Sequence, residues 1–175
     1  VDTSERIYAL LAASHLPEAG LRDYTLRDLT EQALERLSLN ESGFFIMIEG
    51  SQIDWAGHDN DGLRSVSETL DLDEAVEAAL AFAGQRNDTL VLVTADHETG
   101  GLSIVAGSAG DVRPAIRWIH EDHTGLPVPV YAFGPNAELF GHHLFHCDIP
   151  ALIARGWGVE DFGEEREVIK YYPLP

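Results

Sequence analysis

A single cysteine, Cys147, excludes an internal disulfide framework and every cysteine-based zinc module, so a transition metal here would have to be held by histidine and carboxylate. Basic residues are also scarce. Eleven Lys and Arg stand against 30 Asp and Glu, a formal charge of −19, which argues against nucleic acid as a partner because phosphate backbones are held by Lys and Arg. A handful of ligands cannot absorb nineteen charges, so most of the acids are read as solvated surface, an excess that would suit a salt-rich setting. No apolar run approaches the roughly eighteen residues of a membrane-spanning helix. The chain opens at Val1 rather than Met, without a basic segment leading into an apolar one, and the expectation is a stretch from within a longer protein.

What is present is length enough for one domain, residues 1–175, burying roughly two thirds of its unfolded surface. The stretch from Gly43 to Asp61 organises it. Phe44 to Ile48 is an unbroken apolar run of β-formers, as expected of a strand covered on both faces in a parallel α/β sheet. Glu49 interrupts it where such a strand would emerge at its carboxyl end, the edge at which open α/β sheets carry their sites. Asp54 and His58 follow, and carboxylate with imidazole suits Zn²⁺ while carboxylate alone suits Mg²⁺. Taken singly, Glu49 fits a strand-end carboxylate paired with an arginine, and His58 a surface histidine, as well as either fits a ligand.

Before that stretch, Ile7 to Leu11 is compatible with a strand, and Thr25 opens a helix with Asp28 as its capping-box partner and an inward stripe of Leu26, Leu29, Ala33, Leu34 and Leu37. After it, Asp59-Asn60-Asp61-Gly62 resembles a calcium loop but fails at its first ligand position, which falls on Gly57; the plainer reading is a helix-capping turn. A second helix is expected from about Ser65 to Ala83, ended by Gly84, with Val66, Leu70, Ala75, Val76, Ala79, Leu80 and Ala83 inward and Glu68, Asp71, Asp73, Glu74 and Glu77 mostly outward. Thr89 to Ala95 reads as a second buried strand, and it too ends in an acid and an imidazole, Asp96 and His97. In a right-handed strand-helix-strand unit both carboxyl ends meet at one sheet edge, which sets Asp96 and His97 beside Glu49 and Asp54 and favours a metal site over chance.

Residues 102–122 read as a short insertion: Leu102 to Ala106 is compatible with a strand, and the segment from Gly107, with Arg113, Arg117 and Trp118, shows no sustained period. Val128 to Phe133 is an edge or irregular strand because of Pro129, Asn136 to Phe140 one helical turn, and Asp148 to Arg155 a short helix stopped by Gly156. His142, His143 and His146 lack a carboxylate second shell in sequence and are read as surface. Residues 157–175 form a charged, then aromatic tail whose packing the pattern leaves open.

Three motifs in order, E-G-x-x-I-D-x-x-x-H from Glu49, T-A-D-H-E-T-G-G from Thr94 and H-T-G-x-x-V-P-V-Y-A-x-G-P from His123, resemble the carboxyl-terminal half of an alkaline phosphatase, over about Phe44 to Ile153. The resemblance implies a three-layer α/β fold with a mostly parallel sheet flanked by helices. It implies two zinc ions and one magnesium, with Asp54, His58 and His123 on one zinc, Asp96 and His97 on the second, and Glu49 on the magnesium. It implies phosphate monoesters as substrates, a periplasmic or secreted location, and compatibility with a homodimer. Two such ions about 4 Å apart can clamp a phosphoryl group. The family's nucleophile, a serine in Asp-Ser-Ala, its phosphate-binding arginine and the remaining metal ligands match nothing here, so the resemblance casts the amino-terminal half of the same protein as partner and these residues alone as inactive. Trp55 stands where many relatives carry Lys or His. The alternatives are another hydrolase of the same superfamily, or a non-catalytic acidic metal-binding or interaction domain.

The charge imbalance makes stability depend on salt, because like charges repel over a longer range when the Debye length is long. The melting temperature is expected to rise from low salt to 1 M KCl; a flat response would remove the salt-adaptation reading.

Overall fold

The computed structural model describes residue 7, residues 9–108, 115–159 and 161–162. Its scaffold is a pair of helices. α1 spans Leu26–Leu37 and begins as its sequence requires: the Thr25 hydroxyl accepts from the Asp28 amide while Asp28 accepts from the Thr25 amide. The Thr25 amide, and then its hydroxyl, hold the Asp28 carboxyl below the usual carboxylate range, so this cap contributes above the unfolded carboxylate pKa and fades as pH falls through the depressed folded value. α3 spans Gly62–Gly84, capped by Asp61, whose carboxylate accepts from the amides of Leu63 and Arg64. The Asp59–Gly62 stretch is thus the capping turn rather than a calcium loop. Leu26, Thr30 and Leu34 of α1 and Ala75, Ala78 and Ala83 of α3 are buried, the alanines letting the two helices approach closely.

The face of α3 differs from the apolar-period expectation. Val66 and Leu70 are 58% exposed, whereas Glu68 and Asp71 are 4% and 9% exposed. The cause is Arg22, whose guanidinium sits 2.5 Å from Asp71 and 3.9 Å from Glu68. The amides of Leu26 and Ala19 donate to Asp71 and Glu68 in turn. Two acids that read as solvent-facing are therefore drawn inward by a cation far off in sequence, 49 residues from Asp71.

Between α1 and α3 in sequence, and packed on α3, lies α2, Gln52–His58, a seven-residue helix absent from the sequence expectations. A strap from the amino-terminal segment pins it: Gln52 Nε2 donates to the Leu16 carbonyl, and Arg64 joins Gln52, Asp59 and Glu18. That segment, from Ile7 to Leu11 where described, forms no strand, and Leu10 is 94% exposed.

The strands are short. β1 (Val91–Val93) pairs with β6 (Tyr131–Phe133), β2 (Glu98–Thr99) with β5 (His123–Thr124), and β3 (Ser103–Ala106) with β4 (Ala115–Arg117), every pair antiparallel. The α/β class holds, but the parallel pairing expected of its sheet does not appear among the described residues. Phe44–Ile48 runs extended without a ladder partner there, its even positions turned inward while Phe45 and Met47 are 61% and 78% exposed. It is half-covered rather than buried on both faces. Likewise β1 is half-buried and shorter than the apolar run around it. In the segment read as irregular, β4 folds back on β3 with a bulge between Ile104 and Ala106; Arg113 lies outside the described residues. The helical turn Ala137–Phe140 and α4, Asp148–Gly156, stand where expected. The tail from 163 on lies outside the described residues. No described helix is long and apolar enough to cross a membrane.

The buried ion cluster generates a test. Arg22→Ala leaves Glu68 and Asp71 buried without their cation and is expected to cost about 3–5 kcal/mol, read as a lower urea midpoint at unchanged slope. A loss below about 1 kcal/mol, the size of an exposed pair, would contradict the role given to Arg22.

Candidate metal centre

Asp54 and His58 lie four apart on α2 and so share one face of it. His123 arrives from β5 and His97 from the extended segment just before β2; Thr99↔His123 register in the β2–β5 pair sets those two residues side by side. The packing of β2 on α2 depends on glycine. Gly57 faces Thr99, and a Cβ there would stand 3.0 Å from the Thr99 Cβ and Cγ2. Gly100, at φ +82°, passes so close that a Cβ would meet the Trp118 ring at 2.5 Å and the Gly57 carbonyl at 3.0 Å. Glu98 closes this turn, accepting from the amides of Gly101 and Leu102 and from the Thr124 hydroxyl.

The result is a cluster. His58 Nε2 lies 3.1 Å from His123 Nε2 and 3.4 Å from Asp54 Oδ2, and His123 Nε2 is 3.5 Å from Asp54 Oδ1. Asp54, His58 and His123 are the group among the described residues whose donors lie close enough together to hold a metal ion. Zinc bonds of about 2.0–2.1 Å place tetrahedral donors about 3.3 Å apart, so two nitrogens and a carboxylate at these spacings, half exposed on one side, fit a zinc-type ion with an open position. His58 Nδ1–H donates to the Glu121 carbonyl, which leaves its Nε2 lone pair facing the cluster.

His97 stacks on His123, ring centroids 3.5 Å apart and 22° from parallel, and its Nε2 is 3.4 Å from Asp96 Oδ2. Five of the six sequence candidates thus form one continuous cluster. Glu49 is not in it; exposed at the end of the extended run, it lines a hollow against α1 with Leu26, Thr30 and Ala33. His142, His143 and His146 are exposed, and His146 donates to the Ala95 carbonyl. Sequence reading missed Thr99, Glu98 and Glu121, which hold the cluster's geometry. Thr99 alone had a usable signal, lying two residues after His97 and so on the same side of an extended chain.

Carboxylates and imidazoles from three separate segments gather here, a donor set of the kind that hydrolases use to hold metal ions. The family profile described as alkaline phosphatase matches residues 7–111, and the chain belongs to the alkaline phosphatase family. It is 52% identical to alkaline phosphatase 3 of Bacillus subtilis, covering 71% of this chain and 42% of that protein. It is 36% identical to the alkaline phosphatase of Escherichia coli K12, over 65% of this chain and 27% of that one. The solved alkaline phosphatase of the Antarctic bacterium TAB5 superposes with a TM-score of 0.75 at 35% identity, over 89% of this chain and 46% of that one. The chain therefore spans less than half the length of each of these relatives.

Proposed function

We propose that this chain is the metal-bearing carboxyl-terminal portion of a zinc- and magnesium-dependent phosphomonoesterase. The observation that carries the proposal is the convergence of Asp54, His58 and His123 from two distant segments at donor spacings suited to zinc. In this reading those three hold one zinc, Asp96 and His97 contribute to a second and Glu49 to magnesium, with further ligands from outside these residues. A solved mutant of the TAB5 enzyme has magnesium bound, which supports magnesium as a cofactor here by kinship. Phosphate monoesters as substrates, a periplasmic or secreted location and a homodimeric assembly belong to the same proposal.

Bound divalent ions would supply Lewis-acid charge for phosphoryl oxygens and lower the pKa of coordinated water. The residues of this chain bind and orient. The Glu121 carbonyl holds the His58 ring, the Gly57–Thr99 contact seats β2 on α2, and the β2–β5 pair presents His123. No Asp-Ser-Ala occurs in the sequence, so the nucleophile is assigned to the part of the protein outside these residues.

The experiment compares p-nitrophenyl phosphate hydrolysis at alkaline pH, with zinc and magnesium supplied, by three chains. They are the 175 residues, their fusion to the amino-terminal part of the Bacillus subtilis relative, and that fusion with His97→Ala. Turnover is expected from the fusion, reduced about 10²–10³-fold by His97→Ala. From the 175 residues alone essentially none is expected, since losing positioning and charge stabilisation together forfeits ~10⁷ or more. Turnover by the 175 residues at the level of the fusion would overturn the proposal.

A further inference from the structure

Thr99 is half-buried between α2 and the β5 strand, and its hydroxyl touches two candidate ligands that come from different motifs. Oγ1 lies 2.6 Å from Asp54 Oδ1 and 3.2 Å from His97 Nδ1. A threonine hydroxyl has one proton and two lone pairs. An ionised carboxylate only accepts, so the single proton goes to Asp54, and the hydroxyl oxygen is left as an acceptor toward His97. That acceptor is satisfied when His97 carries its proton on Nδ1; the Asp96 carboxylate, 3.4 Å from Nε2, draws the proton the other way, but it is 88% exposed and farther off than the part-buried Thr99 oxygen. The side chain has little freedom to do otherwise, because its Cβ and methyl stand against the open face of Gly57, where even a β-carbon would come within 3.0 Å.

We propose that Thr99 is a positioning residue that links the two zinc positions: its hydroxyl donates to Asp54 and accepts from His97 Nδ1–H, fixing the carboxylate orientation and the His97 tautomer together. The inference rests on the ligand assignment made above. It adds that the two positions share one hydrogen-bond relay, so that loosening one loosens the other. The His58 tautomer is set separately, by the Glu121 carbonyl at Nδ1, although its Nε2 lies 3.4 Å from Asp54.

The test uses the 175-residue chain with Thr99→Val, which keeps the shape and removes the hydroxyl, and Thr99→Ser, which keeps the hydroxyl. Side-chain ¹⁵N NMR of the metal-free chain at pH 8 reads the tautomers directly. The parent and Thr99→Ser are expected to show His97 protonated on Nδ1, Thr99→Val a mixture or the Nε2–H form, and all three the same His58 tautomer. Zinc affinity, measured by chelator competition, is expected to fall roughly 10–100-fold in Thr99→Val and to stay at the parent value in Thr99→Ser. The Co²⁺-loaded absorption bands should shift in the valine variant alone. An unchanged His97 tautomer in Thr99→Val overturns the relay whatever the metal does. A shifted tautomer with no zinc bound by any variant supports the relay and overturns the ligand assignment. A melting temperature lowered equally in both variants, with unchanged tautomer and affinity, shows Thr99 to be a packing residue and overturns the proposal.

Discussion

The candidate site depends on a contact in which a side chain is missing. Gly57 presents bare backbone on the buried side of α2, and Thr99 and Gly100 settle against it so closely that a β-carbon at position 57 would stand only 3.0 Å from the Thr99 side chain. This close approach sets the distance between α2, which carries Asp54 and His58, and the β2–β5 pair, which carries His123. A larger residue at position 57 would push Thr99 off Asp54 and widen the cluster, since packed interiors transmit such displacements rather than absorb them. The same approach explains why donors 65 residues apart in sequence reach 3.1 Å. Neither α2 nor the two-residue strands have the length to be stable on their own. α2 is held by its packing on α3 and by the Gln52 and Arg64 strap, and β2 by α2 and β5.

Acidic excess plays two separable parts. Most carboxylates are solvated, as the net charge demands. A few act locally: Glu68 and Asp71 gather around Arg22, Asp61 caps α3, and Glu98 ties the Gly100–Gly101 turn to Thr124. Each of these is an acid whose cost of burial or ordering is offset by a cation or by amide donors. Around the cluster the acids stand beside imidazoles instead, Asp54 against His58 and His123 and Asp96 against His97.

Where local chemistry decides structure, the sequence was legible. The Thr25–Asp28 box and the leucine stripe mark α1, Gly84 marks the end of α3, and α4 appears where Asp148 and Gly156 put it. Where a distant partner decides, it was not. Nothing near Glu68 or Asp71 signals that Arg22 turns them inward, and α2 is too short to display a helical period. Phe44–Ile48 has the composition of a fully buried strand, yet among the described residues nothing pairs with it and alternate side chains face outward. In the site, Asp96 and His97 were legible as an acid and an imidazole ending an apolar run, Asp54 and His58 by their spacing after Phe44–Ile48, and His123 by the motif it opens. Glu49 matches the motif but stands on the α1 side, and the Glu121 carbonyl could not have been found, since a backbone acceptor leaves no trace in residue type.

The central claim is that Asp54, His58 and His123 together hold a divalent ion. Its most direct measurement is calorimetric titration of the 175-residue chain with Zn²⁺, alongside His123→Ala. One tight event per chain is expected, because these three donors make a set with an open position for water while the pair Asp96 and His97 does not. His123→Ala should remove that event while the protein stays folded by circular dichroism. Equal zinc binding by the parent and by His123→Ala would contradict the account.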